Sequence, residues 1–193
     1  MKRWGVLGGS FDPLHLGHLW IAILSREQIG LDSVLLIPAA IPPHKGNGTV
    51  APYAFRLEMI RLAVASHAGL VASDIEADRH PSYTVDTLRR LRERIAPEDE
   101  VWLLMGGDSL EDLATWREPD EILRLAHLGI YGRPCHPVPL PAGARARWIT
   151  GPECGISSTM IRERLGAGLP INRFVPAEIA QLIEASEHYR KGG

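Results

Sequence analysis

Two histidines three residues apart, His15 and His18, follow the turn Gly8-Gly9-Ser10-Phe11-Asp12-Pro13-Leu14, which itself follows the apolar run Trp4 to Leu7. A strand, then glycines, then a helix-like segment makes an anion site. The glycines let backbone N–H groups approach a phosphate, and the helix aims the positive end of its dipole at the same point. Side chains three apart share one face of a helical turn, so both imidazoles are expected beside that anion. The spacing is neither the GxGxxG dinucleotide fingerprint nor the GxxxxGK[ST] loop, and neither occurs elsewhere in the chain. Zinc catalysis is set aside because it wants a third protein ligand and no HExxH pattern is present. A serine hydrolase is set aside because neither Ser10 nor Ser109 sits in a GxSxG elbow.

Further groups suited to anions lie downstream. In Ile156-Ser157-Ser158-Thr159-Met160-Ile161-Arg162, Ser157 is placed to cap a helix and Arg162 projects one turn further on. By itself this reads as an ordinary capped helix with a solvated arginine; beside the first loop it reads as a second rest for phosphates. Lys45 sits in a long polar connection, Ala39 to Pro52, that reads as a mobile lid able to bring an ammonium over a polyphosphate; the bland alternative is a solvated lysine. Gly106-Gly107-Asp108 ends an apolar run and offers a carboxylate either to ribose hydroxyls or to the cap of a following helix.

Taken together, these segments bear a family resemblance. GGSFDPLHLGH, Gly8 to His18, closely resembles the HxGH signature of the nucleotidyltransferase superfamily, in particular the bacterial nicotinate-nucleotide adenylyltransferases. The likeness continues in order to Arg162. Ile156 to Arg162 resembles the ISSTxIR motif, Gly106 to Asp108 the GxD element for the adenosine ribose, and Arg133 the arginine of an RPG element, with Cys135 here in place of the glycine. Ser82 to Thr87 resembles the SYTxDT element and Leu113 to Trp116 the LxxW segment.

The resemblance implies a catalytic set of His15, His18, Lys45 and Arg162. It implies a nucleotide site at Gly8, Gly9, Ser10, Phe11, Gly106, Asp108, Arg133, Ile156, Ser157 and Ser158, and a mononucleotide site at Thr84, Trp116 and the backbone of Arg117. The expected reaction is adenylyl transfer from ATP to nicotinate mononucleotide, with Mg2+ carried by ATP and no dedicated metal ligands; Asp12 would assist through the metal's water shell. A pyridinium ring suits an indole face, and its carboxylate suits the positive end of a helix. The alternatives are transfer to nicotinamide mononucleotide or phosphopantetheine, or a nucleotide sensor without turnover.

The elements that must position these groups follow from hydrophobic pattern. Apolar runs at Trp4 to Gly8, Val34 to Ile37, Leu70 to Ala72, Val101 to Met105 and Leu128 to Tyr131 alternate with helical segments at Leu16 to Ile29, Tyr53 to Ser66, Thr84 to Ile95 and Pro119 to Ala126. A short strand at Arg147 to Ile149 and helices at Ser157 to Leu165 and Pro176 to His188 follow. This alternation predicts an α/β fold with a doubly wound, mostly parallel sheet. With the resemblance it becomes a Rossmann-like nucleotidyltransferase fold with a small helical C-terminal part. One domain, 1–193, is expected, its helical segment 156–190 completing the nucleotide site.

Composition bounds the partners. A net charge of −2 over 193 residues lacks the basic excess of a general nucleic-acid binder. Neither an apolar run of membrane-span length nor a secretory leader is evident, so a cytoplasmic enzyme of small molecules is expected; self-association is left open. Cys135 and Cys154 are expected as unpaired thiols.

Overall fold

The computed structural model describes residues 1–41, 49–78, 81–132, 139–153 and 155–189. Its strands are β1 (Arg3–Gly9), β2 (Ser33–Pro38), β3 (Leu70–Ala72), β4 (Glu100–Gly106), β5 (His127–Tyr131) and β6 (Ala146–Ile149). They form one sheet in the order β3-β2-β1-β4-β5-β6, every neighbouring pair parallel. Parallel neighbours need crossovers. Helices α1 (Leu16–Ile29), α2 (Tyr53–Val64), α3 (Thr84–Arg92), α4 (Gly107–Asp112) and α5 (Pro119–Leu125) lie between strands, and α6 (Ser158–Gly166) and α7 (Ala177–Glu184) close the chain.

The strands read as continuous apolar runs because both faces of the sheet are covered. Along β1, Val6 packs with Leu35, Leu88, Leu103, Ile122 and Leu128 on one face. The next residue, Leu7, packs with Leu19, Ala22, Ile60, Ile161 and Ile179 on the other. At Gly5 a Cβ would sit 2.9 Å from the side chains of Leu31 and Val34, so only glycine lets the chain after α1 lie this close. Helix α1 ends where expected: Gly30 takes the left-handed conformation, φ 77°, and the N–H groups of Gly30 and Leu31 both donate to the Arg26 carbonyl, at 3.0 and 2.9 Å.

Strand order reverses at β1, flanked by β2 on one side and β4 on the other. In such sheets the crevice for a ligand opens beyond the carboxyl ends of the strands at this point, and the glycine-histidine loop leaves β1 there. Among the described residues, no helix is long and apolar enough to cross a membrane.

Candidate active site

The loop after β1 sets the histidines in an arrangement that differs from two side chains on one helical face. His15 is the N-cap of α1, with extended backbone (φ −143°), and His18 is the third residue of the helix. The His15 N–H donates to His18 Nδ1 at 3.2 Å, and the rings stack with centroids 3.7 Å apart and planes at 27°. Phe11, fully buried, packs its ring 4.8 Å from that of His18. A nitrogen that accepts a hydrogen bond carries no proton, so the neutral His18 ring holds its proton on Nε2 as a donor.

His15 is 7% exposed, and burial pulls its pKa down to about 4, so its ring is neutral at pH 7. This has a consequence for stability. Between the ordinary value of 6.5 and about 4, the unfolded chain binds a proton at His15 that the folded chain refuses. Stability therefore falls as the pH is lowered across that window, by up to about 1.4 kcal/mol per pH unit from this group, and above the window this penalty vanishes. Denaturant titrations at about pH 7, 6 and 5 should show the wild type losing more on acidification than His15→Asn, which keeps a cap residue but cannot titrate; parallel losses would mean that His15 is not held neutral.

The start of α1 offers fewer free amides than the sequence suggests. The Leu16 N–H donates to the Phe174 carbonyl at 2.9 Å and the His18 N–H to the His15 carbonyl at 3.0 Å. What the helix end contributes is its dipole rather than those two donors. Asp12 also departs from expectation. Its carboxylate, 1% exposed, accepts from the N–H groups of Val50 (2.8 Å) and Ala51 (3.1 Å) and from the Tyr189 hydroxyl (2.7 Å). So engaged and so buried, it has no place in a metal's water shell.

Helix α6 is docked onto the same loop. Ser157 caps it, accepting from the Met160 N–H at 3.2 Å; the Ser158 hydroxyl donates to the Pro13 carbonyl at 2.9 Å; and Arg162 donates through Nη1 to the Asp12 carbonyl at 2.6 Å and through Nη2 to Thr159 Oγ1 at 3.0 Å. The guanidinium is thus held against the loop and is not a freely solvated charge.

Two cavities flank the histidine pair. One, of about 510 Å³, is lined by Gly8, Gly9, Ser10 and His18 and by Thr84, Trp116 and Arg117. The other, of about 500 Å³, is lined by His15, Gly106, Gly107, Asp108, Tyr131 and Ile156. They share Ile21 and Gly106, so the histidines stand where the cavities meet. A Cβ on Gly8, Gly106 or Gly107 would meet nothing within 4 Å, which leaves both strand ends open to a ligand. Trp116 is half-buried in the wall of the first cavity, after the short 3-10 turn Leu113–Thr115. Beside it the Arg117 guanidinium lies 4.8 Å over the Tyr83 ring and 3.5 Å from Asp86. Glu118, in a left-handed conformation (φ 51°), is pinned by Arg89 at 2.5 Å, and this fixes the turn that presents Trp116 and Arg117.

Asp108 is exposed in the first turn of α4, whose cap is Gly106, so it faces the second cavity without capping the helix. Phe11 supports His18 from within the core. Lys45 and Arg133 lie outside the described residues, as do Cys135 and Cys154. Sequence reasoning missed Glu76, which lines the first cavity, accepts from the Thr87 hydroxyl, and keeps Oε2 buried with no partner among the described residues. A lone glutamate in the turn after β3 carries no local signal for this.

A parallel sheet with two nucleotide-sized cavities joined at a histidine pair on its switch point is the architecture of a nucleotidyltransferase. The profile of the cytidylyltransferase-like family matches residues 6–164, and proteins from two bacteria match nearly the whole chain. A protein of Thermus thermophilus is 44% identical over 97% of this chain and 100% of its own length, and one of Exiguobacterium sibiricum is 42% identical over 93% and 95%; both are named "Probable nicotinate-nucleotide adenylyltransferase". The chain belongs to the cytidylyltransferase-like family, and within it to the nicotinate-nucleotide adenylyltransferases. Among solved structures, Plasmodium falciparum nicotinic acid mononucleotide adenylyltransferase complexed with NaAD superimposes with a TM-score of 0.82 over 98% of each chain, at 17% identity, a likeness of fold.

Proposed function

We infer that this protein transfers the adenylyl group of ATP to nicotinate mononucleotide, giving nicotinate adenine dinucleotide and pyrophosphate, a step of NAD biosynthesis. A phosphate oxygen of the mononucleotide attacks the α-phosphorus of ATP, and the bond from that phosphorus to the oxygen bridging to the β-phosphate breaks. The nucleophile's second pKa lies near 6, so it is mostly ionised at neutral pH and needs no general base. What the protein must supply is alignment of two mutually repelling anions and stabilisation of the charge that builds between them.

The observation that carries this reading is the junction of the two cavities at His15 and His18. ATP is assigned to the cavity of Asp108 and Ile156, the mononucleotide to that of Thr84 and Trp116. Their phosphates then meet at the histidines, with Arg162 and Lys45 as the cationic groups and Mg2+ arriving on ATP as part of the substrate. With Nδ1 taken by the His15 N–H, His18 donates through Nε2. In the mononucleotide cavity the nicotinate ring stacks on Trp116, and its carboxylate takes the N-terminal end of α3 at Thr84 and the backbone of Arg117.

Pyrophosphate release from MgATP, measured with nicotinate mononucleotide, nicotinamide mononucleotide and phosphopantetheine in parallel, tests the assignment. Release with the first and little with the others is expected; release with none favours a nucleotide sensor. Trp116→Ala is expected to raise the KM for nicotinate mononucleotide by roughly tenfold, as loss of a stacking face on a cation implies, while the KM for ATP changes little. An unchanged mononucleotide KM would return Trp116 to the packing of the wall.

A further inference from the structure

The turn Ser10 to Pro13 is held by partners from across the chain. Phe11 adopts φ 47° with its side chain fully buried, a conformation that persists in a bulky residue only where the surroundings over-determine it. Arg56 of α2, itself fully buried, donates through Nη1 to the Ser10 carbonyl at 2.8 Å and through Nε to the Ala51 carbonyl at 3.1 Å. Its guanidinium answers the charge of Asp12. The Asp12 carboxylate takes the amides of Val50 and Ala51, and its one side-chain donor among the described residues is the hydroxyl of Tyr189, 177 positions away.

Tyr189 is itself firmly seated. It is 8% exposed, its ring lies 6.3 Å from that of Phe55 on α2, and the neighbouring His188 meets Phe55 edge-on at 4.6 Å. Burial and the adjacent Asp12 carboxylate raise the pKa of the hydroxyl, so it stays protonated and always donates. Its bond to Oδ1 is the shortest of the three on the carboxylate, 2.7 Å against 2.8 and 3.1 Å. Two residues beyond Pro13 stands His15, whose N–H orients His18. A displacement of the turn is passed directly to both imidazoles.

We propose that Tyr189 is a positioning residue for the phosphate site: by donating to Asp12 it holds the Phe11 to Pro13 turn in the shape that sets His15 and His18, without touching substrate. The role in catalysis rests on the adenylyl-transfer reading above; the ordering of the loop does not.

Tyr189→Phe removes one oxygen and keeps the ring. The control is Ile183→Val, which loosens packing of α7 at a residue 3% exposed and outside the hydrogen-bond network of the loop. For Tyr189→Phe, kcat is expected to fall roughly tenfold, the scale of a small misplacement of reacting groups, while the KM values for ATP and nicotinate mononucleotide change by less than about threefold. Amide exchange should quicken in residues 10–18 and stay unchanged in β4 and β5. Ile183→Val should lose some thermal stability and keep its kcat. The proposal is overturned if Tyr189→Phe turns over like the wild type, if Ile183→Val loses as much kcat, or if exchange in residues 10–18 is unaltered. A wild-type protein that releases no pyrophosphate with nicotinate mononucleotide would sink the reaction assignment instead, and the exchange comparison then decides alone whether Tyr189 orders the loop.

Discussion

His18→Ala is expected to lower kcat by about a hundredfold or more, the range found when one preorganised transition-state donor is removed, with the fold retained. His18 lines the cavity proposed for the mononucleotide, beside its junction with the second cavity, and its Nδ1 is taken by the His15 N–H at 3.2 Å, which makes Nε2 the donor. A donor fixed by its own backbone neighbour needs no reorganisation as charge develops, and this is where electrostatic catalysis draws its strength. The structural cost is small: a hydrogen bond at the start of α1, on the order of 1 kcal/mol, and ring contacts with Phe11 and His15. His18→Asn separates the two roles. An amide oxygen can stand in for Nδ1 and restore the cap, yet its shorter side chain does not carry a donor to where Nε2 sits. Both variants should therefore give wild-type circular dichroism and a comparable fall in saturated pyrophosphate release. If either retains turnover within about threefold of the wild type, His18 is not the transition-state donor and the histidine pair serves only to cap the helix.

What was legible in the sequence was what depends on neighbours in sequence. The apolar run of β1, the glycine turn and the α1 stop at Gly30 are local signals, and α1 spans Leu16–Ile29 as read. The parallel, doubly wound sheet followed from the alternation of strands and helices, whereas its strand order carries no local signal. Helix ends were overrun: α2 ends at Val64, α3 at Arg92, well before Pro97, and α7 at Glu184, each short of the sequence reading. Helix α4, six residues long, is too short to show a period. The Trp116 wall was legible from its place between the GGD turn and the charged pair Arg117-Glu118.

The interior of the site was not legible, because its determinants are long-range. Asp12 looked like a solvent-facing acid near a metal; its partners are 38, 39 and 177 positions away. The Phe174 carbonyl that takes the Leu16 amide belongs to a segment read only as a link between two helices. Arg56, in a helix with arginine and glutamate on its outer side, gave no sign that its side chain turns inward.

That inward arginine carries the largest expected effect on stability. Arg56→Met keeps much of the volume and removes the charge, so little cavity is left; what it leaves is a buried carboxylate with one positive neighbour fewer, Arg162 staying at the Asp12 carbonyl, and two carbonyls, of Ser10 and Ala51, without these donors. Breaking one side of such a buried arrangement is expected to cost about 3–5 kcal/mol, a large part of the stability of a domain this size. The same reasoning limits what the pair contributes in total. Burial depresses the Arg56 pKa and Nη2 has no partner among the described residues, so the native state already bears a desolvation penalty. Arg56→Met combined with Asp12→Asn, which neutralises the carboxylate, should therefore be less destabilised than the sum of the single variants. Urea unfolding of the four proteins gives the coupling directly. A single-variant loss below about 1 kcal/mol, or strict additivity in the cycle, would show that Arg56 packs beside Asp12 without answering its charge. If the coupling is found, the charged pair costs desolvation and gains what an apolar pair could not: a fixed acceptor under the strained turn at Phe11, on which the alignment of His15 and His18 depends.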